Sequence, residues 1–71
     1  MDRIGQKIKE LRKAAGLTQC QLAKLVGVTQ SAVAAWERGD YYPSAPMLLK
    51  LATALGCTVN DLYRTDTENT A

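Results

Sequence analysis

Gln30 and Ser31 are neighbouring side chains able to make directional hydrogen bonds, and they stand where the sequence predicts the first turn of a helix. A glutamine amide can pair bidentately with N6 and N7 of adenine, and a serine hydroxyl can bond a donor or an acceptor on a base edge. Ala34 and Ala35 follow on the face that we expect to be exposed, and their small side chains would allow a close approach to a groove floor. The alternative, that Gln30 and Ser31 are ordinary solvated residues, fits the local chemistry equally well.

The remaining reactive side chains do not suggest a catalytic or metal-binding constellation. Cys20 and Cys57 lie far apart in a chain without histidine or a CxxC pair, so we expect no metal site and two reduced thiols. A disulfide or a redox switch is the alternative for these thiols. The sequence offers no nucleophile–base pair and no glycine-rich phosphate loop, and we therefore expect neither an enzyme nor a cofactor.

Glycines divide the chain into segments with helical periodicity, and four of them stand where a helix would end: Gly16, Gly27, Gly39 and Gly56. The apolar residues are mostly alanine, leucine and valine, which favours helices over a sheet. We therefore predict an all-α protein, a compact five-helix bundle. Its predicted helices span about residues 2–15, 18–26, 29–38, 44–55 and 58–63.

The second and third predicted helices are separated only by Gly27 and Val28, a short glycine-containing turn of the kind that a helix-turn-helix requires. Ala23 is small and stands where the third helix should cross the second. The capping-box spacing of Thr18 and Gln21 marks the start of the second helix. The predicted core of the pair comprises Leu22, Ala23, Leu25, Val26, Val33 and Trp36. Any helical hairpin can use such a pattern, so it leaves DNA binding and simple packing as equal alternatives.

The length and charge of the chain indicate its number of domains, its location and the type of partner it could bind. The chain has 71 residues, which is enough for one domain, predicted at residues 1–64 with a disordered polar tail at residues 65–71. It has no apolar run long enough for a transmembrane helix and no signal-peptide core, so we expect a cytoplasmic protein and no membrane partner. The net charge is +2, with a basic first helix and an acidic tail, which suits an anionic partner. A solvated helix face explains Lys7, Lys9 and Lys13 more simply.

The order and spacing of several motifs indicate the fold and the function more specifically than length and charge do. The segments Thr18–Ala23, Gly27–Val33 and Trp36–Gly39, followed by Pro43-Ser44, resemble the Cro/repressor-type helix-turn-helix family of phage and bacterial regulators. The resemblance covers about residues 3–63. It implies a compact five-helix domain of the lambda-repressor-like DNA-binding type, in which the third helix reads the major groove.

Roles for individual residues follow from this resemblance. It implies that Gln30 reads an adenine, that Ser31 is the next base reader, and that Gln19 contacts a phosphate and braces Gln30. It also implies a buried structural ion pair between Arg12 and Glu37. We expect base contacts from Gln30, Ser31, Ala34 and Ala35, and backbone contacts from Thr18, Gln19, Thr29, Arg38 and Tyr41.

The chain departs from the family pattern in two places that concern DNA contact. Many members carry a long polar side chain where this chain has Ala34 or Ala35, so base recognition should rest on fewer contacts. The loop after the third helix contains Asp40, which would repel phosphate where lysine or arginine is frequent. Tyr41 or Tyr42 can donate a hydroxyl to phosphate instead, and packing over the loop is an equal alternative.

These observations together favour a sequence-specific double-stranded DNA-binding transcriptional regulator, which we expect to be a repressor. A palindromic operator and a homodimer, at least on DNA, are the expected partners. We expect any dimer contact at the fifth helix and the end of the fourth. The alternative is an antitoxin or another protein-interaction module built on a helix-turn-helix, because residues 17–40 carry no net charge.

Overall fold

The computed structural model describes residues 3–63, and within that range it contains five helices and no strand. They are α1 (Arg3–Ala14), α2 (Gln19–Val26), α3 (Gln30–Arg38), α4 (Ala45–Leu55) and α5 (Val59–Tyr63). The prediction of an all-α, five-helix fold is confirmed. The predicted ranges of α2 to α5 each began one residue early, at the capping residue. The predicted tail at residues 65–71 and the domain end at residue 64 lie outside the described residues.

Side-chain caps explain why the helices begin where they do. The backbone N–H of Gln21 donates to Thr18 Oγ1 at 3.0 Å, and the N–H of Thr18 donates to Gln21 Oε1 at 2.9 Å. Thr58 and Asp61 repeat this reciprocal arrangement at 3.0 and 3.1 Å. Each box pairs two backbone N–H groups that would otherwise lack partners in the first turn. The capping-box spacing of Thr18 and Gln21 therefore located the start of α2, and the same arrangement stands at the start of α5.

Gly27 makes the sharp turn between α2 and α3. Its φ is +77°, and its N–H donates to the carbonyl of Ala23. This left-handed conformation costs a residue with a Cβ about 1–2 kcal/mol. A Cβ built at Gly27 would meet no atom within 4 Å, so the backbone conformation, and not crowding, requires glycine here.

The core lies where α1, α2 and α3 meet α4 and α5. The side chains buried most completely come from all five helices: Ile8, Leu22, Val33, Leu51 and Leu62. Burying such a side chain contributes about 1.5–3 kcal/mol. Trp36 and Ala23 are buried in the same cluster, as predicted. The helix-turn-helix pair thus rests on a shared core, which holds its outer face in a fixed orientation.

Leu25 is the core prediction that was wrong, because its side chain is 60% exposed. At about 100° per residue, Leu22, Ala23 and Val26 occupy one inward arc of α2, and Leu25 lies well to the side of that arc. Leu25 and the exposed Leu49 line an open groove of about 620 Å³ between α2 and α4.

Across residues 3–63, no helix is both long and apolar enough to cross a membrane.

Candidate nucleic-acid interface

The first turn of α3 presents polar side chains outward. Gln30 and Ser31 are both exposed, as expected, at the first two positions of the helix. Thr29 caps the helix with an extended backbone, and its hydroxyl oxygen accepts from the N–H of Ala32 at 3.2 Å. The cap fixes the direction in which α3 starts and leaves the amide of Gln30 on the surface.

The starts of α2 and α3 are tied together through two amide side chains. Nε2 of Gln30 donates to Oε1 of Gln19 at 3.1 Å. A primary amide has two N–H donors and an acceptor oxygen, so Gln30 retains one N–H and its oxygen for another partner. The arrangement matches the bracing expected of Gln19, and it gives Gln30 the donor-plus-acceptor edge that pairs with adenine.

Arg12 and Glu37 meet beneath this surface. Nε of Arg12 donates to Glu37 Oε2 at 2.7 Å, and Nη2 donates to Oε1 at 3.2 Å. The two side chains are only 9% and 4% exposed, and Arg12 Nη1 also donates to the carbonyl of Leu17 at 2.8 Å. This bidentate pair joins α1, the connection that follows it, and α3.

Glu37 also reaches toward the surface. Gln19 Nε2 donates to Glu37 Oε1 at 3.0 Å, so one carboxylate serves both Arg12 and Gln19. Burial raises the pKa of Glu37, but the hydrogen bonds from Arg12 and Gln19 and the charges of Arg12 and Lys9 outweigh burial and lower it below the ordinary glutamate value. Glu37 is therefore ionised at neutral pH. Reasoning from the sequence identified the pair with Arg12 but missed the link to Gln19, for which spacing alone gives no signal.

The expected exposure of Ala35 is wrong. Ala34 is half-buried, and Ala35 is only 6% exposed. Ala35 lies one residue before the buried Trp36, and the N–H of Asp40 donates to its carbonyl at 3.0 Å, because the chain turns back at the end of α3. The exposed residues of α3 are consequently confined to its two ends: Gln30, Ser31 and Arg38.

The end of α3 carries a second arginine–carboxylate pair. Arg38 Nε donates to Asp40 Oδ2 at 2.9 Å, and both side chains are exposed. Sequence reasoning anticipated an unfavourable charge at Asp40 but missed this pairing. Tyr41 and Tyr42 are both exposed, so neither packs down over the loop in the free chain.

The other expected site residues are also on the surface. Thr18 and Thr29 are exposed, and each hydroxyl that accepts a capping N–H still carries its own hydrogen.

Both cysteines are free, Cys20 on the exposed start of α2 and Cys57 half-buried. Desolvation and the nearby charge of Asp61 raise the pKa of Cys57. No group of three metal-ligating side chains occurs within the described residues.

Comparisons with known proteins agree with this geometry. A helix-turn-helix family model matches residues 8–62. An uncharacterised HTH-type transcriptional regulator, YgzD of Bacillus subtilis, is 43% identical over 63 residues, covering 89% of this chain and 96% of that protein.

Solved structures give the same result. The restriction-modification controller protein C.AhdI from Aeromonas hydrophila superposes with a TM-score of 0.83 at 44% identity, covering 87% of this chain and 94% of that one. The P22 c2 repressor in complex with a synthetic operator superposes with a TM-score of 0.84 at 35% identity, covering 93% of this chain and 100% of that one. The full C2 repressor of Salmonella phage P22 is longer, and the match covers only 31% of it. The resemblance seen in the sequence is confirmed, and the chain belongs to the helix-turn-helix family of DNA-binding transcriptional regulators.

Proposed function

We propose that this protein is a sequence-specific transcriptional repressor that binds double-stranded operator DNA with α3 in the major groove. The observation that carries the proposal is the exposed amide of Gln30, held at the first turn of α3 by its hydrogen bond to Gln19. A preorganised donor–acceptor edge loses little conformational freedom on pairing with a base. The similarity to a repressor solved with its operator supports the same role.

The contacts divide into base readers and backbone contacts. Gln30 and Ser31 read base edges, and Ala34 offers a small apolar surface beside them. Ala35 is omitted because it is buried in the free chain. The backbone contacts come from the exposed or half-exposed residues around them: Thr18, Gln19, Thr29, Arg38 and Tyr41.

Two copies are needed for a specific site. A single helix of nine residues reaches too few base pairs to define a unique genomic sequence. The repressor therefore acts as a homodimer, at least on DNA, on a palindromic operator whose half-site centres lie about 34 Å apart. The proposed role needs no catalytic step and no cofactor, and it is exercised in the cytoplasm, where the operator is accessible. No observation favours the antitoxin alternative over this one.

Selection of bound sequences from a random DNA pool, followed by substitution of Gln30, tests the proposal. We expect a two-fold symmetric site. Gln30→Ala should weaken binding by about 1–3 kcal/mol per half-site and relax preference at one base pair in each half-site. The slope of affinity against salt should hold, because no phosphate charge contact is lost.

Lys9→Ala is the matched control, since Lys9 is exposed on α1 and a lysine there can meet only phosphate. It should weaken all sequences equally or have no effect. Equal weakening of operator and random DNA by Gln30→Ala would remove Gln30 from the base-reading role. Absence of any selected sequence would favour a protein-interaction module.

A further inference from the structure

Four side chains from three helices form one continuous line of hydrogen bonds that runs from the core to the surface. Arg12 of α1 donates to Glu37 of α3, and Gln19 of α2 donates to the same carboxylate at 3.0 Å. Gln30 of α3 then donates to Gln19 at 3.1 Å. The buried end is 4–9% exposed in its side chains, and the outer end is exposed.

The direction of this line is set at its buried end. An ionised carboxylate can only accept hydrogen bonds, and a guanidinium can only donate them. Glu37 therefore requires Gln19 to turn its NH₂ inward, and the oxygen of Gln19 must then point toward Gln30. That oxygen in turn requires the NH₂ of Gln30. Without Glu37, either amide group can rotate by 180° and exchange its nitrogen and oxygen.

We propose that Glu37 is a positioning residue for base recognition, whose buried carboxylate fixes, through Gln19, which way the amide of Gln30 faces in the DNA groove. This inference rests on the proposed function, since it assigns Glu37 a part in the specificity of that site. With its side chain only 4% exposed, Glu37 acts on the base through Gln19 and not by direct contact. Arg12 holds the carboxylate in place by its two hydrogen bonds, and thus anchors the line.

The fixed direction gives a specific base discrimination. With its NH₂ held beside Gln19, Gln30 presents an N–H and an oxygen in one order, which matches the N7 acceptor and N6 donor of adenine. Guanine presents two acceptors, N7 and O6, so its O6 would face the oxygen of Gln30. When Gln19 instead donates to the oxygen of Gln30, that oxygen turns away from the base and both hydrogens of the NH₂ can face the two acceptors of guanine, so the penalty against guanine falls.

Binding should be measured to the selected operator and to a version in which guanine replaces the adenine read by Gln30 in one half-site only. In the wild-type protein the ratio of the two dissociation constants should be about 5- to 150-fold, the range of one bidentate pair. Glu37→Gln should reduce that ratio to within about threefold, because the introduced amide can donate to Gln19 and reverse the line. Circular dichroism must show native helix content at the assay temperature, with sucrose added as a stabilising osmolyte.

A purely structural role for Glu37 predicts a different result. Partial unfolding lowers the active fraction and weakens binding to both operators equally, so the adenine-to-guanine ratio stays at its wild-type value. That unchanged ratio in folded Glu37→Gln protein would overturn the proposal.

Gln19→Ala provides a second test that leaves the Arg12–Glu37 pair intact. It cuts the line between Glu37 and Gln30, so the ratio should fall to a similar value, and adding Glu37→Gln to it should lower the ratio no further. A wild-type ratio in Gln19→Ala would also overturn the inference, because Glu37 reaches Gln30 only through Gln19. Gln30→Ala separates this inference from the proposed function: if that variant keeps the wild-type ratio, Gln30 reads no base and the proposed function itself fails.

Discussion

Two arginine–carboxylate pairs in this small domain have similar shortest distances and opposite surroundings. Arg12 Nε lies 2.7 Å from Glu37, and Arg38 Nε lies 2.9 Å from Asp40. The side chains of the first pair are 9% and 4% exposed, whereas those of the second are 62% and 54% exposed. Distance alone would assign the two pairs the same role, and burial separates them.

Burial changes what each pair can do. A buried pair is tolerated only while both charges and their hydrogen bonds are satisfied, so it holds a geometry firmly. An exposed pair is screened by water and salt and contributes little to stability, so its arginine can exchange one anion for another. The Arg12–Glu37 pair is therefore suited to fix the recognition surface, and the Arg38–Asp40 pair is suited to give up its arginine to a phosphate.

Removing the arginine from each pair should produce the largest difference between them. Arg12→Met leaves Glu37 buried without its charge partner and should lower the free energy of unfolding by about 3–5 kcal/mol. Arg38→Met, the matched control, should lower it by about 1 kcal/mol or less. Denaturant unfolding followed by circular dichroism measures both. Equal small losses would mean that burial does not distinguish the pairs.

Acid should reveal the same difference with a smaller effect. The lowered pKa of Glu37 means that its ionised form stabilises the fold fully above the ordinary glutamate pKa. This contribution is lost as pH falls from that value through the lower pKa of the folded state. Glu37→Gln should therefore be less stable than wild type at neutral pH and should lose less stability across that acidic window. Unfolding measured over a pH series tests this, with Asp40→Asn as the exposed control. Parallel wild-type and Glu37→Gln curves would contradict it.

Local features of the fold could be predicted from the sequence, whereas contacts between residues far apart in the chain could not. Thr18 and Gly27 act through backbone neighbours, so local spacing was enough to locate α2 and its turn. The Arg12–Glu37 pair joins residues 25 positions apart and was predicted only through the family resemblance. The exposure of Leu25 follows from its position beside the inward arc of α2, so helical periodicity could have shown it. The direction of Glu37 toward Gln19 depends instead on how α2 crosses α3, which the periodicity of one helix does not encode.

The surroundings of Ala35 and Asp40, near the end of α3, also could not be predicted from the sequence. The sequence gives their order along the helix, but the turn that follows decides their surroundings. The N–H of Asp40 bonds the carbonyl of Ala35, and the carboxylate of Asp40 bonds Arg38. From the sequence, Asp40 was expected only to repel phosphate. In the structure it is also the partner of Arg38, which is a proposed phosphate contact.

Asp40→Asn, which removes the carboxylate of the exposed pair, should have the smallest effect on the fold. Loss of this exposed carboxylate should change the free energy of unfolding by less than about 1 kcal/mol. It frees Arg38 for phosphate, so operator and random DNA should both bind a few-fold more tightly, with the adenine-to-guanine ratio unchanged. One additional phosphate contact per copy should steepen the slope of log affinity against log salt by about 0.9 for each bound copy.

Fluorescence anisotropy over a salt series measures these quantities, and Arg38→Ala/Asp40→Asn separates the two ways in which Asp40 can oppose DNA. If Asp40 acts by occupying Arg38, the gain in affinity and the steeper slope disappear in the double variant relative to Arg38→Ala alone. If Asp40 acts by repelling phosphate directly, the gain persists without Arg38. A single variant that binds DNA no more tightly than wild type would show that the exposed pair does not compete with phosphate. The proposal that Arg38 exchanges Asp40 for a phosphate would then fail. The proposal that the Arg12–Glu37 pair fixes the recognition surface would be unaffected.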